Sequence, residues 1–404
     1  MKLKKMKRPV LILLTLVTVF ALAAAQAEVT AVDTEANGKV TQTVWMDSDG
    51  SIVPGPQGYA MVRYEYKGAE KTETYYDAEG QPYESAAGCY GRKVTVDGKK
   101  RIIQIDYLGA DGSRTLNNRG YAMMSISYYG FGGVRQVTYY GLNKKPVTVK
   151  SLGYASVYSE YSNRTMTSRT YRNAKGQAVD SQEGYAAVKQ KVNKKFQVIR
   201  IRYEHADGSP AVGPDGWYRC IIDRDDAGRI TSIKYYDTGE ELTDRGASYA
   251  WEEREYEDDN TVLVTYYDLE GNKAPDDAGV ATVVREMQDD RVVRESFLDT
   301  LGKPTTNKLG VGAVVYGYDH DGRLESVSYQ DTEGSATTCN KGYAGYRDTK
   351  DDDGATIGRT FLGTDGLPTE IAGGYSEIRY FYDDTKALTD TRYYNANGTQ
   401  VNAE

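Results

Sequence analysis

Side chains suited to acid–base chemistry are scarce in this sequence. His205 and His320 are its only histidines, and both stand beside Asp and Gly in segments that predict turns, where a solvated histidine is expected. No nucleophile stands out with a base at a known spacing, and there is no glycine-rich phosphate loop or Cys/His metal set. Acidic pairs are abundant only because acidic turns are abundant. The sequence therefore predicts a protein that is not an enzyme, with no catalytic residue and no cofactor.

Three acidic turns raise the question of calcium. Each begins like an oxygen-ligand loop: Asp47 to Gly50, Asp319 to Gly322 and Asp351 to Gly354. A complete helix-loop-helix site has Glu at its twelfth position, where these turns have Gly58, Gln330 and Leu362. Capping of the turn by the Asp side chain explains the pattern, so we predict no metal site and leave weak, low-selectivity calcium binding open.

Aromatic rings are the groups that remain for recognition. The chain has 36 tyrosines against 6 phenylalanines and 3 tryptophans, and many tyrosines come in adjacent pairs. In a strand, one ring of each pair faces inward and stabilises the fold, while the other faces outward and could bind a flat or cationic group. The tryptophans also break the repeat consensus. We expect ligand contacts at Tyr76, Tyr140, Trp217, Tyr236, Trp251, Tyr267 and Tyr394.

These rings sit in a unit that recurs about every 32 residues. Turn glycines advance by 30 to 32 residues, with Lys144 in the one vacancy: Gly50, Gly80, Gly112, Gly176, Gly208, Gly239, Gly271, Gly302, Gly334, Gly366 and Gly398. A second glycine, usually in Gly-Tyr-Ala, keeps the same period. A fixed period in this range indicates units that bury their apolar faces against their neighbours.

Within one unit, period-two alternation is bounded by turns. Ala313 to Tyr318 and Val327 to Tyr329 alternate, and Asp-x-x-Gly turns follow each segment. This pattern predicts a β-hairpin, with Asp capping the turn and Gly supplying positive φ. The predicted fold is all-β: an elongated array, solenoid or superhelix, of about twelve hairpin repeats of ~32 residues. Equivalent tyrosines of successive hairpins are expected to lie side by side.

The N-terminus predicts export. Residues 1–27 combine five Lys and Arg, an apolar run from Val10 to Ala25 and a small-x-small cleavage site, which is typical of a signal peptide; a retained anchor is the alternative. Residues 28–404 are then the tyrosine-rich hairpin array, secreted and associated with the cell envelope, with no membrane insertion after cleavage. Cys89, Cys220 and Cys339 do not recur with the repeat and are expected to be small apolar fillers rather than disulfides.

The net charge of the chain limits the classes of partner that it can bind. Loss of the five positive residues moves the formal net charge from −8 to −13. Nucleic acid and bare teichoic-acid backbones should be repelled unless a local basic stripe exists, and the Lys and Arg residues are scattered among acids. We therefore predict no nucleic-acid partner.

Several motifs resemble known repeat families. Tyr318 to Leu324 and Asp225 to Ile230 resemble the Tyr-Asp-x-x-Gly-Arg-Leu core of YD repeats in RHS proteins. The Gly-Tyr and Tyr-Tyr-Asp-x-x-Gly elements are similar to choline-binding and cell-wall-binding repeats, and the alternation of Tyr-Tyr-Asp-x-x-Gly-x-Pro with Gly-Tyr-Ala resembles tyrosine-rich arrays of Gram-positive surface proteins. The export signal together with the repeated aromatic rings predicts a non-catalytic module that binds a cell-wall polymer or glycan at a Gram-positive cell envelope. The alternative is a structural spacer or protein-interaction scaffold, whose partner is another surface protein and whose ends could self-associate.

Overall fold

The computed structural model describes residues 30–55, 58–244, 246, 249–351, 354–382 and 388–402. The predicted signal peptide lies outside these residues. The described chain forms 25 β-strands. They are β1 (Thr30–Ala36), β2 (Lys39–Met46), β3 (Met61–Lys67), β4 (Glu70–Tyr76), β5 (Gly91–Val96), β6 (Ile102–Leu108), β7 (Met123–Tyr128), β8 (Val134–Tyr140), β9 (Ser156–Ser162), β10 (Thr165–Arg172), β11 (Ala187–Val192), β12 (Val198–Glu204), β13 (Arg219–Arg224), β14 (Ile230–Tyr236), β15 (Trp251–Tyr256), β16 (Thr261–Tyr267), β17 (Thr282–Gln288), β18 (Arg291–Leu298), β19 (Ala313–Tyr318), β20 (Leu324–Gln330), β21 (Gly345–Lys350), β22 (Thr356–Leu362), β23 (Glu377–Tyr382), β24 (Leu388–Tyr394) and β25 (Gln400–Val401).

Each strand pairs antiparallel with the next one in the chain, which makes one continuous sheet. Pairing within a hairpin is long: β3 and β4 match from Met61↔Tyr76 to Lys67↔Glu70. Pairing between hairpins is shorter: β2 and β3 pair only from Gln42↔Arg63 to Val44↔Met61. The described residues contain no helix, so the predicted all-β array of repeated hairpins is confirmed.

The turns form as their Asp-x-x-Gly spacing predicts. Asp319 Oδ1 accepts hydrogen bonds from the backbone N–H of Asp321 at 3.0 Å and of Arg323 at 2.8 Å, and Gly322 has φ of 75°. The repeat spacing in the sequence places the turn glycine of one repeat at Gly239, and this is wrong by one residue. Glu240, with φ of 67°, occupies the left-handed position after Asp237. Each hairpin thus carries its own turn chemistry.

Lys144 takes the position that glycine holds in most other repeats, with φ of 59° and an exposed side chain. A side chain in the left-handed region costs energy that glycine avoids. We expect Lys144→Gly to raise the free energy of unfolding by about 0.5–1 kcal/mol, measured as a shift of the urea midpoint. Lys145→Gly is the control, because Lys145 has no positive φ; equal stabilisation by both substitutions would contradict the explanation.

The two faces of the sheet differ because alternate side chains point to opposite sides. The first ring of a Tyr-Tyr pair is inward, as with Tyr75 and Tyr266, which are 6% and 7% exposed. The second ring lies on the opposite side, which we call the outer face. One ring inward and one outward is the arrangement that the sequence predicts.

Inward rings do not meet their counterparts from the next repeat, contrary to expectation. Instead, the ring of each Gly-Tyr element, carried by the segment between hairpins, inserts between them, with centroids 4.5 to 6.3 Å apart. We call this line of rings the aromatic spine. It has three stretches: Trp45, Tyr59, Tyr75; Tyr107, Tyr121, Tyr139, Tyr154, Tyr171, Tyr185, Tyr203, Trp217, Tyr235, Tyr249, Tyr266; and Tyr329, Tyr343, Phe361, Tyr375, Tyr393.

Smaller apolar residues join the stretches of the spine. Cys89 packs with Tyr75 and Tyr107 at the first interruption, and Val280, Phe297 and Val311 share a buried cluster with Tyr266 and Tyr329 at the second. All three cysteines are buried and free, which fits the role of apolar fillers. Within the described ranges, no helix is long and apolar enough to cross a membrane.

Candidate functional site

Five of the seven predicted contact residues lie half-buried at one recurring outer-face position, the last residue of the second strand of a hairpin: Tyr76, Tyr140, Tyr236, Tyr267 and Tyr394. Several of these rings are covered by an arginine from the facing strand. The guanidinium of Arg63 lies 4.4 Å from the Tyr76 centroid, and that of Arg379 lies 4.0 Å from Tyr394. Because an arginine occupies the ring face there, those rings offer less surface to a ligand.

Trp217 lies elsewhere. It is 5% exposed and belongs to the aromatic spine, with ring centroids 4.9 Å from Tyr203 and 5.9 Å from Tyr235. Its indole fills the position that tyrosine holds in most neighbouring repeats. The structure thus separates Trp217 from the other predicted contacts and gives it a packing role.

Strand pairing brings together three of the predicted residues. Tyr236, Trp251 and Tyr267 lie on the outer face of the adjacent strands β14, β15 and β16, since Lys234 pairs with Trp251 and Trp251 pairs with Tyr267. The Trp251 and Tyr267 rings stack, with centroids 5.3 Å apart and planes at 15°. In contrast to Tyr76, Tyr140 and Tyr394, these residues form a local group.

An open cleft of about 410 Å³ lies beside this stack. Its charged lining is mixed: Asp223, Lys234, Glu253, Arg254 and Glu255, with Tyr267 at one side. We call the cleft together with Trp251 the aromatic cleft. Burial and the nearby Glu253 carboxylate raise the pKa of the Tyr267 hydroxyl. A flat apolar platform beside carboxylates suits a ligand with one apolar face and several hydroxyls.

The histidines show no catalytic arrangement. His205 Nδ1 lies 2.7 Å from Asp180 Oδ2, and the other oxygen of Asp180 accepts the backbone N–H of Ala206, so this pair ties one turn to the preceding repeat. The His320 side chain is 90% exposed. Among the residues described, no nucleophile hydrogen-bonds to either imidazole.

The acidic turns behave as caps. Asp47 Oδ1 accepts the backbone N–H groups of Asp49 and Ser51 at 3.0 and 2.9 Å. Two residues of the third turn, 352 and 353, lie outside the described part of the chain. The described residues contain no group of three or more His, Cys, Asp or Glu side chains that could hold a metal ion.

The sequence predicts Trp251 and Tyr267 as separate ligand contacts and does not show that their rings stack. They are sixteen positions apart, and only the register of β15 against β16 places them opposite each other. The signal that could have found them is the equal distance of the two residues from the hairpin turn. The same argument applies to the basic side chains of β11 and β12, which look scattered in sequence.

Comparison with known proteins finds only distant similarity to solved structures. Among solved structures, the chain is similar to "Crystal Structure of TcdB2-TccC3-Cdc42", with a TM-score of 0.32, 9% identity and coverage of 92% of this chain and 22% of that one. It is also similar to "Crystal Structure of TcdB2-TccC3", with a TM-score of 0.27, 10% identity and coverage of 88% and 19%.

A Photorhabdus luminescens Tc holotoxin pore structure gives a TM-score of 0.23 at 11% identity, with coverage of 88% of this chain and 19% of that one. The chain spans about a fifth of the length of these structures. No protein-family model matches the chain, and no curated protein matches it.

Proposed function

We propose that this protein is a non-catalytic, exported repeat module that binds a cell-wall glycan or polymer at the envelope of a Gram-positive cell. The aromatic cleft is the contact site in this proposal. Its ligand is a sugar chain, with one ring face on Trp251 and Tyr267 and hydroxyls directed at the neighbouring carboxylates.

The single observation that carries the proposal is the stack of Trp251 on Tyr267 at 5.3 Å, half-buried on the outer face. Rings that only stabilise the fold lie in the spine on the other face, and this pair lies apart from it. The outward tyrosines of other hairpins, such as Tyr76, Tyr140 and Tyr394, would add weaker contacts. Contacts repeated along one array sum into avidity.

The test is co-sedimentation of the purified protein with Gram-positive cell walls that have been stripped of their anionic polymers. We expect Trp251→Leu combined with Tyr267→Leu to lower retention by about tenfold or more, because leucine keeps apolar area but removes the flat ring face. Tyr267→Phe should retain binding if stacking dominates. Tyr76→Leu combined with Tyr394→Leu is the control outside the cleft and should have a smaller effect.

Free choline as a competitor separates a glycan from a quaternary ammonium group, which would bind over the same rings. Displacement of the protein from the walls by choline would show that the ligand is a quaternary ammonium group and not a sugar. Absence of retention with every wall preparation would overturn the proposal.

The second candidate is a structural spacer or scaffold for another surface protein. One observation favours it: all seven residues of β1 are exposed, and among the described residues β1 pairs only with β2. An edge strand of this kind presents unpaired backbone groups to a partner or a second copy. Sedimentation velocity at increasing protein concentration tests this; a concentration-independent monomer would count against self-association.

A further inference from the structure

The outer face of β11 and β12 gathers four cations that the sequence leaves dispersed. Lys189 pairs with Arg202 across the strands, and Lys191 pairs with Arg200. With strand neighbours about 4.8 Å apart and alternate residues about 6.8 Å apart, the four positions form a compact grid. We call these four residues the basic patch. It is the local basic stripe that the overall charge of −8 conceals.

Like charges directly opposite each other destabilise a sheet, so this arrangement needs compensation. Buried Glu204 supplies part of it, since it accepts Lys189 Nζ at 2.5 Å and Arg202 at 2.7 Å. Lys191 and Arg200 have no carboxylate partner among the described residues. The last hairpin provides the contrast: Arg379 and Arg392 face each other there, but Glu377 and Asp390 each hold one of them at 2.7 Å.

The basic patch also has room for a ligand. An open groove of about 360 Å³ is lined by all four cations, together with Glu160 and Ser168. Lys191 is exposed, and the Lys189 side chain is 44% exposed. Arg219 on β13 pairs with Arg202 beside the patch, but it is held by Glu240 at 3.1 Å and its side chain is only 16% exposed, so it is not counted with the four cations. The groove therefore presents several cations to a single extended anion.

We propose that the basic patch binds a linear polyol-phosphate or sugar-phosphate polymer, with successive phosphodiester groups contacting Lys191, Arg200 and their neighbours. Arginine and lysine are the usual partners of phosphate oxygens. The outer-face residues of these two strands include no aromatic ring, and the stacking surface on which single-stranded nucleic acid depends is missing from them. This site is separate from the aromatic cleft and does not depend on the glycan proposal.

The test is binding of the purified protein to poly(glycerol phosphate), followed by calorimetry at several salt concentrations. We expect Lys191→Glu combined with Arg200→Glu to weaken binding about 100-fold and to reduce the slope of log affinity against log salt by roughly 2. The control makes the same charge change at two exposed cations elsewhere, Lys303→Glu with Arg347→Glu. It should change affinity by less than about threefold, because these side chains lie far beyond the Debye length of about 8 Å.

Both variants should fold. The thermal midpoint of the patch variant should change little, because the two glutamates replace one like-charge pair with another and gain Lys189 and Arg202 as neighbours of opposite charge. Unchanged binding by the patch variant, or an equal loss in the control, would overturn the proposal. Equal affinity for single-stranded oligodeoxythymidine would refute the assignment to a polyol or sugar phosphate. Loss of self-association in place of polymer binding would mean that the patch contacts a second copy. Trp251→Leu should leave this binding unchanged, which keeps the two proposals distinguishable.

Discussion

Replacement of Tyr266 by alanine is expected to lower the free energy of unfolding by about 3–5 kcal/mol, the range for removing a large buried aromatic side chain. Tyr266 is 7% exposed and packs in the spine with its centroid 4.8 Å from that of Tyr249. The next position along the core holds Val280, whose side chain is too small to fill the space that the ring leaves. The cavity should therefore persist.

The adjacent residue is a matched control. Tyr267 lies on the same strand, but it is half-buried on the outer face, so Tyr267→Ala should cost only about 1–2 kcal/mol. Urea unfolding compares the two variants. Because each repeat contacts only its neighbours, hydrogen exchange should also show the loss of protection in Tyr266→Ala confined to strands near β16, with β3 and β4 unaffected. Equal losses in the two variants would show that the spine is not the principal core.

The sequence was sufficient for the repeat, the hairpins and the turn chemistry, because each depends on local rules. Asp319 and Gly322 specify a turn from four residues, and alternation specifies which face each ring takes. The interleaved spine was not predictable in this way. The path of the segment between hairpins decides that Tyr59 stacks on Tyr75 at 4.5 Å, and no periodicity within a strand contains that path.

The candidate sites were also predictable only in part from the sequence. Composition singled out Trp251 as a departure from the repeat, and the register of the sheet then gave it Tyr267 as a neighbour. Trp217 departs from the repeat equally, yet it is buried, because a consensus break alone does not say which face a residue occupies. The basic patch was not predicted, because Lys191 and Arg200 are nine positions apart in the sequence and become neighbours only through the pairing of β11 with β12.

Alkaline pH should unfold the array cooperatively. Burial, and next the neighbouring Tyr121, raises the pKa of Tyr139 from 10.0 to about 12, and burial followed by Asp215 does the same for Tyr203. Burial also raises the pKa values of further tyrosines of the core above their ordinary range, namely Tyr107, Tyr154, Tyr185, Tyr266 and Tyr329. An ionised phenolate is poorly solvated in the spine, so the folded state keeps these hydroxyls protonated.

The direction of the effect follows from proton binding. A folded pKa above the unfolded value of 10.0 means that the native state binds the proton more tightly. The stabilisation is complete below pH 10 and is lost as the pH rises from 10 towards 12. For Tyr139 alone, the loss is on the order of 2–3 kcal/mol. The summed loss of stabilisation from several such tyrosines approaches the free energy of unfolding of an ordinary domain, roughly 5–15 kcal/mol.

A pH titration that follows tyrosinate absorbance and far-ultraviolet circular dichroism together tests this. Tyr158 should ionise early, because its hydrogen bond with Tyr129, followed by that with Arg135, lowers its pKa. Its ionisation should leave the sheet intact. The buried tyrosines with raised pKa values, such as Tyr139 and Tyr203, should ionise in one steep step that coincides with loss of the sheet signal, since unfolding is what releases them. In urea, the same tyrosines should titrate near 10 without cooperativity, because the unfolded chain leaves them solvated. A smooth titration of the native protein around that pH, with the sheet signal unchanged, would mean that water reaches the rings and that the spine is not a sealed core.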